Sequence, residues 1–194
     1  MRIFIKKLVL IIIFIPILTN AMPSNETIHA LAMLNKWNDE MIKKNLVSHD
    51  MQFDKSFVEF KDINIWFNTD SKIDEKDRFY KLATDSSGAI FYLWFYPELK
   101  GEPPVVVITL SDGSADNVTD NMTDFSCSFI LGETLSGENL YNLKPSNIVK
   151  IKQYKTEMLN TLNCTSKTKS QVWDSIKHPK FNEWLDKLDV KYEN

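Results

Sequence analysis

The part of this chain that most constrains its fold is the stretch at residues 79–132, which holds the most strand-like sequence and the two clearest turns. Two apolar and aromatic runs, at 79–84 and 89–96, are separated by the sequence Asp-Ser-Ser-Gly at 85–88. Such a segment is typical of a hairpin turn, because Gly tolerates positive φ and Asp or Ser can bond to nearby amides. The second run is apolar on both faces and is therefore predicted to be a central strand covered on two sides.

The same stretch continues with a third strand and a helix. A proline-containing loop at 97–104 cannot extend a sheet, and the run VVVITL at 105–110 then predicts a strand. A turn around Asp112 and Gly113 is followed by a short return strand at 115–118. From Met122 the apolar spacing becomes helical, with Asn121 or Asp120 as the N-cap and Gly132 as the stop.

These pieces resemble the core of the SUKH superfamily. The resemblance rests on the turn at 85–88, the strands at 89–95 and 103–110, the Asp112-Gly113 turn, the Asn121-x-x-Asp124-Phe125 helix opening, and Gly132. That superfamily includes a cell-wall-synthesis regulator and many bacterial proteins that neutralise partner toxins. The resemblance implies a curved sheet with helices packed around it and a protein-binding function.

The N-terminal residues 1–21 predict a secretory signal peptide. Basic Arg2, Lys6 and Lys7 precede an apolar run at 8–18, and the small residues near Ala21 predict cleavage after that position. The alternative is a membrane anchor, which needs about 20 apolar residues, whereas Pro16 interrupts this shorter run. We therefore expect an exported protein, periplasmic or secreted, with residues 22–194 as one domain.

The charge of the chain limits its partners. Its formal net charge is −3, and removal of the three basic residues of the signal leaves 20 basic and 26 acidic residues, or −6. This charge argues against nucleic acid and against a membrane partner after signal cleavage. It suits a basic protein partner, although acidity for solubility alone is the simpler explanation.

Two cysteines, Cys127 and Cys164, remain after the signal is removed. We predict a disulfide between them because exported proteins seldom keep two free thiols. The alternative is two separate buried thiols, since a free cysteine packs as a small apolar side chain.

The rest of the chain predicts helices and two further strands. A helix capped by Ser24 or Asn25 should end near Asn45, with Trp37 as a packing residue. Short strands at 53–60 and 63–67 are expected around a tip at 61–62, before a polar segment at 68–78 that lacks the glycine of a calcium loop. Further helices are predicted at 148–162, with Ser146 as the cap, and at 172–176 and 181–188. The fold class is α+β, one domain with a curved, mostly antiparallel sheet flanked by helices.

The sequence contains no recognisable catalytic pattern. His29, His49 and His178 lie in unrelated contexts, and no zinc-protease, nucleophile-elbow, phosphate-loop or paired-cysteine motif is present. We therefore expect no enzyme, no cofactor and no metal. One alternative is a small envelope hydrolase that uses His49 or His178, and another is a structural or carbohydrate-binding envelope protein that exposes Tyr96 or Trp94.

The most concrete functional hypothesis is an exported SUKH-like protein-binding module, in its sharpest form a periplasmic immunity protein that occludes a toxin. Acidic side chains around a few buried aromatic residues suit electrostatic steering combined with anchoring. The candidate partner-binding residues are Glu98, Glu102, Asp112, Asp116 and Asp120.

Overall fold

The computed structural model of this chain describes residues 22–47, 51–60, 78–109, 113–132, 140–164, 171 and 176–189. Several predictions fall on other residues: the signal peptide at 1–21, the strand at 63–67, the tip at 61–62, and most of the helix at 172–176. His49 and Asp112 also lie outside the described residues.

The described residues form an open five-stranded antiparallel sheet together with four helices, which confirms the predicted α+β class. The strands pair with their sequence neighbours in the order β1-β2-β3-β4-β5. They are β1 (Met51–Phe60), β2 (Arg78–Asp85), β3 (Ala89–Phe95), β4 (Val105–Thr109) and β5 (Ala115–Thr119). The predicted central strand is β3, which pairs with β2 on one side and β4 on the other.

The β2–β3 hairpin turn forms for the reasons that its sequence indicates. The Asp85 carboxylate oxygen Oδ1 accepts hydrogen bonds from the amides of Ser87 and Ala89, each at 2.9 Å. Gly88 takes φ = 87°, in the left-handed region that favours glycine. The turn therefore satisfies its own amides and sets the register of the two strands.

The four helices are α1 (Asn25–Lys43), α2 (Met122–Leu131), α3 (Ile148–Thr161) and α4 (Phe181–Asp189). Ser24 caps α1 by accepting from the amide of Thr27, and Asn121 caps α2 by accepting from the amide of Asp124. Gly132 ends α2 with φ = 89°. In the part of the chain that the structure describes, none of the helices has the length and apolar character needed to cross a bilayer.

The predicted Ser146 cap of α3 is wrong. Asn147 precedes the first helical residue, and its side chain makes no capping hydrogen bond. Its Nδ2 instead donates to the carbonyl oxygens of Asn45 and Asn142, at 3.3 and 3.2 Å. The bond to Asn45 holds the start of α3 against the end of α1.

The sheet is covered on both faces, so there are two apolar clusters. Alternate residues of β3 enter different clusters: Phe91, Leu93 and Phe95 join the larger one, and Ile90, Tyr92 and Trp94 the smaller. The larger cluster includes side chains from α1, α2 and α3, among them Trp37, which is confirmed as a packing residue. The smaller cluster is aromatic and is closed by α4 through Phe181 and Leu185.

The predicted disulfide between Cys127 and Cys164 is present. It joins the middle of α2 to a residue three positions beyond the end of α3, and neither cysteine is free. The bridge therefore fixes two of the helices that cover the larger cluster.

Candidate functional site

Three of the five predicted partner-binding residues lie at one end of the sheet. Strands β3 and β5 run in the same direction and β4 runs against them. The end of β3, the start of β4 and the end of β5 therefore lie at the same end of the sheet. Glu98 and Glu102 are in the β3–β4 loop and Asp120 directly follows β5; we call these three residues the acidic end. Asp116 lies near the start of β5, opposite Val107, towards the other end of the sheet.

Tyr96 and His178 form the centre of the acidic end with Asp120. The Tyr96 hydroxyl lies 2.9 Å from His178 Nδ1, and His178 Nε2 lies 3.1 Å from the Asp120 carbonyl oxygen. A carbonyl oxygen only accepts, so Nε2 carries the proton and donates it, and Nδ1 accepts from Tyr96. The Asp120 carboxylate in turn accepts from the Lys177 amide at 2.8 Å.

The electrostatics of this group favour its uncharged form. Burial lowers the pKa of His178, and the nearby Asp120 carboxylate and carbonyl oppose that shift. Burial raises the pKa of Tyr96, and the negative charges of Glu98 and Asp120 raise it further. At neutral pH a neutral imidazole therefore accepts from a protonated phenol, and both histidine nitrogens are engaged.

This arrangement anchors the chain rather than exposing a reactive base. Both nitrogens of His178 are used in holding the segment before α4 to the sheet edge. The envelope-hydrolase hypothesis needs a histidine that faces a cleft. His178 is not among the residues that line the described cleft between the starts of α1 and α2, and His49 lies outside the described residues. His29 is exposed on α1.

A cleft of about 200 Å³ lies between the start of α1 and the start of α2. Its lining includes Glu26 and Thr27 of α1, Glu102 of the β3–β4 loop, and Asn121, Thr123 and Asp124 at the start of α2. Glu102 accepts hydrogen bonds from the hydroxyls of Ser24, at 3.0 Å, and Thr27. A carboxylate is stabilised at a helix N-terminus by the helix dipole, so Glu102 locks the loop onto α1.

The two remaining acidic side chains with described positions differ in their surroundings. Glu98 is exposed, and its charge acts on Tyr96. Asp116 is half-buried and accepts from the amide of the next residue, Asn117, at 2.8 Å. Glu98 is therefore the exposed residue of the acidic end, whereas Glu102 and Asp120 are half-buried.

Trp94 does not fit the carbohydrate-binding hypothesis. Its side chain is only 1% exposed, and its ring packs 5.1 Å from Phe181 and 5.3 Å from Trp184, centre to centre. Sugar-binding aromatic rings must face solvent, whereas this ring is covered by α4. Tyr96 is half-buried and bonded to His178.

Asn117 has a role that the sequence analysis did not assign. It is buried on β5, and its Oδ1 accepts from the Phe181 amide at 2.8 Å, at the start of α4. The feature of the sequence that could have indicated this role is a polar residue, Asn117, next to apolar Val118 in a predicted strand. Its partner lies 64 positions away, which sequence spacing does not reveal.

Within the described ranges, no group of three or more His, Cys, Asp or Glu side chains is arranged to hold a metal ion. Comparison of the chain with protein-family models, curated proteins and solved structures found no match.

Proposed function

We propose that this protein is an exported protein-binding module that uses its acidic end to bind a basic protein partner. The observation that carries the proposal is the grouping of half-buried Tyr96 with the charges of Glu98 and Asp120. Aromatic anchors surrounded by complementary charge are the common form of binding hot spots.

Tyr96, the proposed anchor residue, is also held in a fixed position, which favours binding. The hydrogen bond from Tyr96 to His178 fixes its hydroxyl, and Glu102 fixes the loop that carries Glu98. A side chain that is already ordered loses less entropy on association. The net charge of −6 on residues 22–194 would speed the approach of a basic partner at low salt.

The sharper form of the proposal is an immunity protein of the periplasm that blocks a toxin. Its support is the SUKH resemblance at residues 85–132, the signal-peptide pattern at 1–21, and a disulfide that suits an oxidising compartment. A toxin that acts in the envelope must be neutralised there, and occlusion needs only a complementary surface.

The test is affinity capture with residues 22–194 from the lysate and culture medium of the native organism, followed by mass spectrometry. We expect one stoichiometric partner with a basic surface. The variant Glu98→Lys should slow association and weaken its salt dependence, because rim charges act mainly on association rate. The matched control is Glu157→Lys, which makes the same charge change at an exposed position of α3.

Two results would contradict the proposal. One is an empty capture from material in which candidate partners are expressed. The other is a partner that binds the wild type, Glu98→Lys and Glu157→Lys at equal rates, because the acidic end would then play no part.

A further inference from the structure

The start of α3 carries a second surface of opposite character to the acidic end. Leu143, Ile148 and Val149 are 56%, 52% and 76% exposed, an unusual degree for aliphatic side chains so close in sequence. Three lysines accompany them, so we define the basic–apolar patch as Leu143, Lys144, Ile148, Val149, Lys150 and Lys152.

Hydrogen bonds order the segment that leads into the patch. The Asn147 amide donates to the Lys144 carbonyl at 2.8 Å, and Asn147 Nδ2 donates to the Asn142 carbonyl at 3.2 Å. These bonds turn the chain back and bring Leu143 towards the first turn of α3. Both Asn142 and Asn147 also donate to the Asn45 carbonyl, which places the end of α1 with Lys43 and Lys44 alongside.

Among the described residues, no acidic side chain pairs with the lysines of the patch. Residues 142–154 contain no acidic residue. Lys144, Lys150 and Lys152 form no ion pair within the described part of the chain, whereas neighbouring Lys44 pairs with Glu40 at 3.0 Å. The first turn of α3 also lacks an acidic residue and a side-chain cap, so its dipole adds to the positive potential.

The composition of the patch points to a lipid surface rather than a protein. Protein interfaces are depleted in lysine, and their hot spots favour Trp, Tyr and Arg over Leu and Val. Aliphatic side chains that project among lysines suit a bilayer, where the apolar groups enter the interfacial region and the lysine ammonium groups remain at the headgroups. We propose that this patch docks the protein peripherally on an anionic membrane surface.

The position of the patch explains how an acidic protein could bind such a surface. Glu102 of the acidic end binds Ser24 and Thr27 at the start of α1, while the patch adjoins Asn45 just past its end. The 19 residues of α1 span about 28 Å, which is several times the Debye length of about 8 Å at physiological salt. The bilayer would therefore attract the patch with little repulsion from the acidic end, which would point away from it. The expectation of no membrane partner rested on net charge and did not consider this separation.

The test is co-sedimentation of residues 22–194 with vesicles of phosphatidylglycerol and phosphatidylcholine in equal amounts, against vesicles of phosphatidylcholine alone. We expect binding to the anionic vesicles only, weakened by salt. Lys150→Gln with Lys152→Gln should lower the partition coefficient about 30-fold, since each lysine near an anionic surface contributes about fivefold. The control pair Lys100→Gln with Lys177→Gln makes the same net change at exposed positions beside the acidic end and should leave binding within about twofold, because charges beyond the Debye length are screened.

The apolar contribution has its own matched pair. Ile148→Ser with Val149→Ser should reduce binding, whereas Ile28→Ser with Val58→Ser removes two comparably exposed aliphatic groups elsewhere and should not. All variants must give the circular dichroism spectrum of the wild type before they are compared.

Three results would overturn the inference: no binding to anionic vesicles, equal loss in the patch and control lysine pairs, or wild-type binding by Ile148→Ser with Val149→Ser. The inference is independent of the proposed partner, because Glu98→Lys should leave vesicle binding unchanged.

Discussion

Asp120 connects two segments of the chain through both its main chain and its side chain. Its carbonyl accepts from His178 and its carboxylate accepts from the Lys177 amide. It also directly precedes Asn121, which caps α2. One residue at the end of β5 thus fixes the approach of α4 and lies next to the start of α2.

The stability contributed by His178 should depend on pH in a defined direction. Its folded-state pKa lies below the ordinary value of about 6.5, so the unfolded chain takes up the proton more readily. The contribution of His178 to the free energy of unfolding is therefore fully present above about pH 6.5. It decreases as the pH falls below that value, until the folded state also binds the proton. In urea unfolding, the wild type should lose free energy of unfolding relative to His178→Gln below that pH. Parallel curves at all pH values would show that His178 does not titrate differently on folding.

Gly132 is required for two separable reasons, its backbone angle and its neighbour. A Cβ at this position would lie 2.7 Å from Cε2 of Tyr141, whose hydroxyl donates to the Ile130 carbonyl. Gly132→Ala should therefore destabilise the protein by about 2 kcal/mol or more, measured by urea unfolding.

Gly101 provides the matched control for that substitution. Its φ of 95° is similar, but a Cβ there would meet nothing within 4 Å. Gly101→Ala should cost only the backbone term of about 1–2 kcal/mol. Equal losses in the two variants would mean that the Tyr141 ring moves aside without cost.

At the scale of elements, the turns and helix limits that could be predicted from the sequence are those set by hydrogen bonds between neighbouring residues. Asp85 and Gly88 mark the hairpin turn, and Asn121 and Gly132 mark the limits of α2, because each acts on backbone groups within a few residues. The Ser146 cap fails because Asn147 takes the position before α3, where a tertiary bond to the distant Asn45 holds it. Helix limits that depend on distant segments are not encoded in local spacing.

The disulfide should contribute strongly because it links two elements across a long loop. Cys127 and Cys164 are 37 positions apart, and cross-linking a loop of that length stabilises by roughly 3–4 kcal/mol in the chain-entropy treatment. Cys127→Ala with Cys164→Ala should lower the free energy of unfolding by about that amount, measured with urea in the absence of reductant. If adding reductant lowers the stability of the wild type but not that of the double variant, the bridge is the cause. No difference between the two proteins without reductant would contradict the prediction.

At the scale of the whole molecule, the candidate site depends on contacts that sequence spacing does not encode. Asp116 and Asp120 are four positions apart, yet they lie towards opposite ends of the sheet because β5 runs between them. Asp120 and His178 are 58 positions apart and in contact. The acidic residues were identifiable by type, but their grouping follows from strand direction and from the docking of α4.

The basic–apolar patch was missed for a related reason, since helical spacing marks the buried side of α3 and not how far its first turn projects.

The shared central strand should make unfolding cooperative across both faces of the sheet. Leu93 and Trp94 are adjacent in β3 but belong to different apolar clusters, so neither cluster can loosen without disturbing the strand that completes the other. Far-ultraviolet circular dichroism, which reports backbone structure, and near-ultraviolet circular dichroism, which reports the packed aromatic side chains of both clusters, should give coincident urea transitions. Phe181→Ala empties a fully buried position and should shift both transitions together by about 3–5 kcal/mol, whereas Lys187→Ala on the exposed side of α4 should shift neither. If the near-ultraviolet signal of the wild type were lost before the far-ultraviolet signal, the aromatic packing would come apart while the strands and helices persisted, and unfolding would not be cooperative.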